Sequence, residues 1–501
     1  MIKKISTVAL ATLICLPTLA SAGAGSSSDR VADLEKQMAD MNKAFSSQMQ
    51  AMKDEIAALK NKNAEMGKEV ASTSDAVKKG VDAAEWTKKV SLGGQITFRG
   101  YNLQNVWDFN DNVDTDNADL FRTKGSLWAD FKATDDVTAR IKVTDQTWGE
   151  GVSDSVDNKS NKMFLDNAYI NVKNMFGLPV EGTFGRQDVI YGSGFVILDG
   201  QSQFASTSIY FDGVKLRWNL TDQLMLDGMY LKSKEKTMYN NANGNSGDDQ
   251  TLSGFYLTNK KCAITGMQQE FYALNRTDEA IKKDIWMYGI RLSDKLANGI
   301  DYSLEGAIQR GDANATQDQD AWGTKMEAGY TFTALDWKPR VYLGYAFMSG
   351  DDSSSTGDNE QWDVFYGGWP QFGDLLAWKY LNLVGTPTAN SLQNVYSNYN
   401  AHSTDIGEAA YSNFQIATLG GSIKPTDKLT LGLSYSKLSF DQTNAGVDDD
   451  FGDYYQATAK YQYNKYLSFS LYGALLSPGD AFNATPKDDA TEAYWEAEFK
   501  F

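Results

Sequence analysis

From Val90 to Phe501 apolar residues recur at every second position, and the segments so marked are joined by connections that run alternately long and short. The last stretch, Asp489 to Phe501, shows the pattern most plainly. Trp495, Ala497, Phe499 and Phe501 alternate with Tyr494, Glu496, Glu498 and Lys500. Alternate side chains of a strand point to opposite faces, so one face here is apolar and the other charged. About eighteen such strands are expected: near 90–105, 119–133, 136–148, 163–174, 178–187, 207–219, 223–233, 251–259, 263–274, 284–293, 300–310, 321–333, 337–348, 413–424, 428–440, 451–463, 466–476 and 490–501. The short connections include 134–136, 174–178, 220–223, 424–428 and 464–465. The long ones include 106–118, 149–162, 188–206, 234–250, 311–320, 349–412, 441–450 and 477–489.

A soluble sandwich has no reason for that alternation, whereas a barrel across an outer membrane does. Its periplasmic turns are short, its outer loops are long, and its strands set an apolar face to lipid and a polar face to the lumen. Within hydrocarbon each unpaired backbone group costs several kcal/mol, so the sheet must close. Closure at about eighteen strands leaves an aqueous bore. The expected fold is therefore all-β, a transmembrane antiparallel barrel, with the strand ending at Phe501 as its last. That strand is the expected handle for the barrel-assembly machinery, and membrane lipid is the expected surround.

The N-terminus fits an exported protein. Lys3 and Lys4 precede the apolar run Val8–Leu19, and Ala20-Ser21-Ala22 is a small-residue cleavage site. Residues 1–22 are expected to be a leader and 23–28 a short tail. Ile14 is too large for a lipoprotein signal at Cys15, which leaves Cys262 as the one mature cysteine and no intrachain disulfide. The formal charge of −18 argues against nucleic acid as a partner.

Over 29–81 the period changes. Val31, Leu34, Met38, Met41 and Phe45 are spaced 3, 4, 3 and 4 apart. Met49, Met52, Ile56, Leu59, Asn63, Met66, Val70, Thr73 and Val77 resume the rhythm after a stutter at Phe45. This is a heptad seam, and it predicts a periplasmic coiled-coil helix that self-associates. Residues 82–89 are the expected linker to a barrel at 90–501.

Alternation also sorts the charges. With the apolar residues turned to lipid, Arg99, Arg122, Lys124, Arg140, Lys142, Lys215, Arg217, Arg291, Lys325, Arg340 and Lys460 turn to the bore. Asp130, Glu181, Asp301, Glu305, Glu327, Glu496 and Glu498 join them. The lining is mixed with a modest basic excess, and rings of Arg and Lys favour anions. Pairing across strands would merely keep the bore wet. Arg186 and Arg310 fall on the apolar face, so a bulge or the membrane edge is expected at each.

No catalytic group emerges. The single histidine, His402, lies in the 349–412 connection, and no serine or acid is spaced to work with it. The protein is expected not to be an enzyme and to hold no cofactor or metal. The run Asp108–Asp119 has calcium-like acidic spacing, but Val113 stands where a calcium loop needs glycine. The connection 349–412 carries Trp362, Trp369 and Trp378, whose rings need cover, so part of it is expected to fold over or into the mouth.

Several stretches resemble the alginate-export porin family. FGRQDVIYGSG (Phe184–Gly194) followed by FDGVKLRW (Phe211–Trp218) resembles its paired motif. GYAFMSGDDSSSTGDNEQWDVFYGG from Gly344, GEAAYSNFQIATLGGSIKPTDKLTLGLSYSKL from Gly407 and LSPGDAF from Leu476 follow in the family's order. The resemblance runs from about residue 95 to 501. It implies an eighteen-stranded monomeric barrel with an Arg-rich bore, and it carries over Arg186 and Gln187 by motif, Arg186 as a pore-lining residue. One member secretes an anionic polysaccharide. Ala409-Ala410 stands where the alginate exporter has Phe-Arg, and the heptad helix is an addition. These departures bear on the solute rather than the fold. The expected function is an outer-membrane channel for hydrophilic, anionic solutes. The alternatives are a dedicated conduit for an anionic exopolysaccharide such as alginate, and a structural spacer of the envelope.

Overall fold

The computed structural model describes residues 27–83, 89–112, 117–148, 163–199, 211–234, 249–352, 357–367, 371–381, 390, 392–396 and 411–501. The expected leader, Val113, Trp369, His402 and Ala409-Ala410 lie outside them. The chain divides into two units, Met1–Thr87 and Lys88–Phe501.

The first unit is one helix, α1, Ser27–Ala83, of 57 residues. At 1.5 Å per residue it is roughly 85 Å long. Side-chain bonds one turn apart support its polar faces, such as Gln50 Nε2 to Asp54 Oδ1 at 3.0 Å. Its apolar seam is bare: Leu34, Met41, Ile56, Leu59 and Val70 are all more than half exposed.

The second unit is a sheet of eighteen strands. In chain order these are β1 Val90–Gln104, β2 Ala118–Lys132, β3 Val137–Trp148, β4 Phe164–Val172, β5 Val180–Gln187 and β6 Phe211–Asn219. Then come β7 Leu224–Lys234, β8 Gln250–Asn259, β9 Gln268–Asp278, β10 Lys283–Lys295, β11 Ile300–Asn314 and β12 Gln317–Thr331. The last six are β13 Arg340–Met348, β14 Phe414–Thr426, β15 Leu429–Ser439, β16 Asp450–Gln462, β17 Leu467–Pro478 and β18 Ala490–Lys500. Each pairs antiparallel with the next, and β18 pairs with β1 from Gln95↔Lys500 to Gln104↔Thr491. Phe501 extends the closing ladder by exchanging backbone bonds with Gly94 at 3.1 and 3.0 Å. No sheet edge is left, as hydrocarbon requires.

At one end of the barrel the connections are uniformly short, and a side-chain oxygen closes several of them. The Thr134 hydroxyl accepts from Val137 N–H at 3.0 Å. Thr221 does the same for Leu224, Thr426 for Leu429, and the Asn464 carbonyl for Leu467. These local bonds replace the backbone pairs that a tight turn forfeits. At the other end the rhythm is less strict than the sequence suggests. Only 279–282 separates β9 from β10, and only 315–316 separates β11 from β12. The expected loop 311–320 is instead mostly strand. Its polar residues alternate and pair, Asp312 opposite Asp318, and Gln319 is buried against Gln309. Polarity there marks a hydrogen-bonded interior face rather than a turn.

The apolar core lies inside the barrel, towards its long-connection end. Leu231, Leu252, Leu274, Ile285, Phe414, Leu438, Phe451 and Leu476, near the ends of their strands, are buried against loop residues such as Phe109, Leu375, Leu376 and Phe482. The outer face of the wall is apolar and bare, as in Phe121, Leu127, Leu216, Trp286, Leu343, Leu433 and Leu471. An exposed apolar belt of this extent is what lipid covers.

Candidate functional site: the lumen and its infolded loops

Strand alternation places the charged residues opposite that belt. On β1 and β2, Arg99 stands across from Arg122 and Thr97 from Lys124, and all four are buried. Most of the expected lining cations meet a carboxylate. Arg99 binds Glu496 at 2.6 Å and Asp374 at 3.0 Å. Arg140 grips Asp130 with two bonds, at 2.6 and 2.8 Å. Lys142 meets Asp166 at 2.7 Å, and Arg217 holds Asp227 at 2.7 and 2.8 Å. Arg291 bonds Glu270 and lies 3.8 Å from Glu305, while Arg340 bridges Asp301 and Glu327. Glu181 accepts from Asn171 at 2.8 Å, and Glu498 from Gln95 at 2.7 Å. Arg122 donates to Gln146 at 3.2 Å.

Four expected lining lysines form no ion pair among the described residues. Lys124 and Lys215 are inward-facing, Lys460 is exposed, and Lys325 donates to the Gln371 amide at 2.9 Å. An ion pair cancels most of its own field at a distance, whereas a lone ammonium does not. The part of the wall's positive charge that no ion pair neutralises is therefore smaller than the number of arginines suggests.

Arg186 differs from the rest of the set. The register sets Gly185-Arg186-Gln187 of β5 directly against Phe211-Asp212-Gly213 of β6, so the two motif halves are one structure. Alternation gives Arg186 the face of Phe184 and Val214, outside the bore, where it binds Asp212 at 2.6 and 2.8 Å. Gln187 turns inward, is buried, and donates to the carbonyls of Gly185 and Gly213 at 3.2 and 3.3 Å. Gly185 has φ +117°, and a Cβ there would meet the Ala168 carbonyl. The register runs unbroken through the motif, so no bulge accompanies Arg186, and Asp212 neutralises its outward charge. Arg310, the other outward arginine, pairs with Asp320 where a register shift follows at Asp312/Asn314, so the irregularity expected there is present.

Two long connections fold into the lumen and knit together. In the first, Val189-Ile190 pairs with Leu198-Asp199 as a small hairpin. Tyr191 stacks on Tyr256 at 3.9 Å and donates to Asp227 at 2.6 Å. Ser193 donates to Glu305 at 3.1 Å. In the second, Asp363 accepts from Arg276 at 2.8 Å and is also bonded by Lys283. A short helix, α2, Asp374–Leu381, follows. Its first residue is the Asp374 that holds Arg99, and its Lys379 reaches the Trp107 carbonyl. The two connections meet where Leu198 N–H bonds the Tyr366 carbonyl at 2.8 Å and Phe195 stacks on Trp362 at 5.3 Å. The expected burial of Trp362 and Trp378 is met in this way.

Burial alone would raise the Asp363 carboxyl, but Arg276 and Lys283 outweigh it and hold the group well below the usual carboxylate range. Burial pushes Asp188, at the start of the first connection, up to about 6. A cavity of about 200 Å³ lies between Lys325, Glu327 and Tyr342 of the wall and Gln371 and Phe372 of the second connection. The acids Asp351, Asp352 and Glu360 bring carboxylate oxygens within 4.8 Å of one another, and no other such acidic or His/Cys trio occurs among the described residues.

Sequence reasoning missed Asp363, Asp374, Arg276 and Lys283. Arg276 and Lys283 fell outside the expected strands because those were ended at 274 and begun at 284. Nothing local marks the two aspartates, since their partners are 87 and 275 residues away.

A closed sheet with a bare apolar belt, a charged inner wall and loops folded into its bore defines an outer-membrane β-barrel of the porin class. The chain belongs to the alginate export family, whose model matches residues 89–495. Solved barrels share the fold at low identity. The outer membrane protein OprD from Pseudomonas aeruginosa is 13% identical, with a TM-score of 0.50 over 82% of this chain and 94% of that one. OccK5 (OpdH) of the same organism is 13% identical, TM-score 0.50, over 83% and 99%. A BenF-like porin from Pseudomonas fluorescens Pf-5 is 11% identical, TM-score 0.50, over 82% and 98%. Among curated proteins none matches the sequence.

Proposed function

We propose that the protein is a non-enzymatic channel of the Gram-negative outer membrane. It passes hydrophilic, anionic solutes through a water-filled bore that the two infolded connections narrow. The observation that supports this reading is the set of lumen-wall lysines outside any ion pair among the described residues: Lys124, Lys215, Lys325 and Lys460. Cations at the wetted wall that no ion pair neutralises raise the local concentration of anions and lower their barrier to entry. Lys325 beside the 200 Å³ cavity supplies a stopping place at the narrow level. In this reading the leader exports the chain, the barrel-assembly machinery takes it up by the strand ending at Phe501, α1 stands in the periplasm, and the long connections face outwards.

Family membership favours a second reading, an export conduit for an anionic exopolysaccharide. Planar-bilayer recording separates the two. The reversal potential in a salt gradient gives the sign of selectivity, and a cation-selective pore overturns the first reading. Block by added polyuronate at low concentration supports the second, whereas a conductance indifferent to polyuronate removes it.

A further inference from the structure

The described side chains of the 57-residue helix α1, residues 31–74, are exposed on every face. Its seam residues Val31, Leu34, Met38, Met41, Phe45, Met49, Met52, Ile56, Leu59, Met66 and Val70 are 43–67% exposed. A stripe of that length held in water is unfavourable at roughly 25 cal/mol per Å² of apolar surface. Something must cover it, and the stripe says what. Its spacing is heptad, which means that its side chains fit the gaps of another helix with the same repeat.

We infer that the occupant is the α1 of another copy of this chain, lying parallel and in register. Three features of the sequence, placed on the helix, select that arrangement. With Met49, Ile56, Asn63 and Val70 as first core positions, Glu55 falls at the g site and Lys60 at the following e site. In a parallel pair, g of one helix faces the next e of the other, so Glu55 meets Lys60 of its neighbour on both sides of the seam. Lys53 and Lys60 both occupy e sites, and an antiparallel pair brings e against e, setting like charges together. Asn63 interrupts the apolar core once. In register its amide faces its own counterpart and both can hydrogen-bond, while any slip of one heptad buries each amide against an aliphatic side chain. The penalty for slippage therefore fixes the stagger. Copies inserted in one membrane share an orientation, so parallel pairing is also what the attached barrels permit.

The consequence is that association resides in the helix rather than in the barrel wall, whose outer belt is left for lipid. The inference does not rest on what the pore carries. It is tested with the full chain in outer-membrane vesicles, in a Cys262→Ser background so that each variant has a single mature thiol. Leu34→Cys and Leu59→Cys, both at the second core position, are each expected to give disulfide-linked pairs on mild oxidation. Asn61→Cys, on the outer face of the same helix, is expected to give none. An antiparallel pair can bring only one of the two seam positions to its own counterpart, so linkage at one and not the other overturns the proposal. Equal linkage at Asn61→Cys, or none at either seam position, overturns it as well. In a second measurement Ile56→Glu/Leu59→Glu is expected to sediment in detergent as one chain with the heat-modifiable migration of the barrel intact. An oligomer that survives this change places the contact in the barrel and refutes the helix.

Discussion

Lys124 shows how far a residue's neighbours decide its worth. It is 5% exposed on an inner wall with Arg122 and Lys142 nearby and no carboxylate in ion-pair contact. Burial among like charges makes its ammonium costly, so the exposed lining lysine is the sharper test: Lys460→Gln removes a charge held in no ion pair, and the reversal potential should move towards cations. The balanced double change Arg140→Gln/Asp130→Asn removes a bidentate pair and no net charge, so selectivity should hold. A reversal potential that follows the double change and ignores Lys460 would show that the field comes from elsewhere. Gly185 illustrates a backbone constraint. An Ala there must hold φ +117° against the Ala168 carbonyl, a strain of about 1–3 kcal/mol. Urea unfolding in lipid should report that loss while selectivity is unchanged, because the substitution alters no charge of the lining.

Among the elements, the second infolded connection is held by charge as much as by apolar packing. Asp363 is paired with Arg276 and Lys283, both nearly buried. Removing its charge strands two cations, a loss of about 3–5 kcal/mol, so Asp363→Asn should free the connection and raise single-channel conductance at neutral pH. The pH dependence has a definite sign. The folded-state carboxyl lies below its unfolded value near about 4, so its contribution is fully present above that pH. It fades only as pH falls towards the depressed folded value. Conductance should therefore stay level from neutral pH down to about 4 and rise below it. Asp188 works the other way: with its carboxyl pushed up to about 6 by burial, it loses its charge on mild acidification. The first connection thus gains net positive charge and the pore should become more anion-selective between pH 7 and 5. Excising residues 352–410 should give a larger conductance, and an unchanged value would mean that this connection does not narrow the bore.

For the whole molecule, closure and conduction belong to one unit and the helix to the other. Removal of β18 leaves β1 and β17 with open edges in hydrocarbon, at several kcal/mol per orphaned group. Such a chain should fail to yield a heat-modifiable barrel at all. Removal of residues 27–83 should leave the conductance of each barrel unchanged. A fall in conductance on that deletion would place part of the pore in the helix.

The sequence by itself settled the period of each segment, and with it the helix, the eighteen strands, the face each residue takes and the closure of the sheet. These follow from backbone geometry and from the solvent on either side of a wall, which are local rules. Alternation alone put Arg186 outside the bore when the motif suggested otherwise. What needed the tertiary structure was pairing at a distance: which lining cations are neutralised, that Asp363 and Asp374 come from a connection to complete the wall, and that polar residues at 311–320 continue two strands. A carboxylate's effect depends on what lies within a few ångströms in space, and the chain's own order leaves that open once it has folded back on itself.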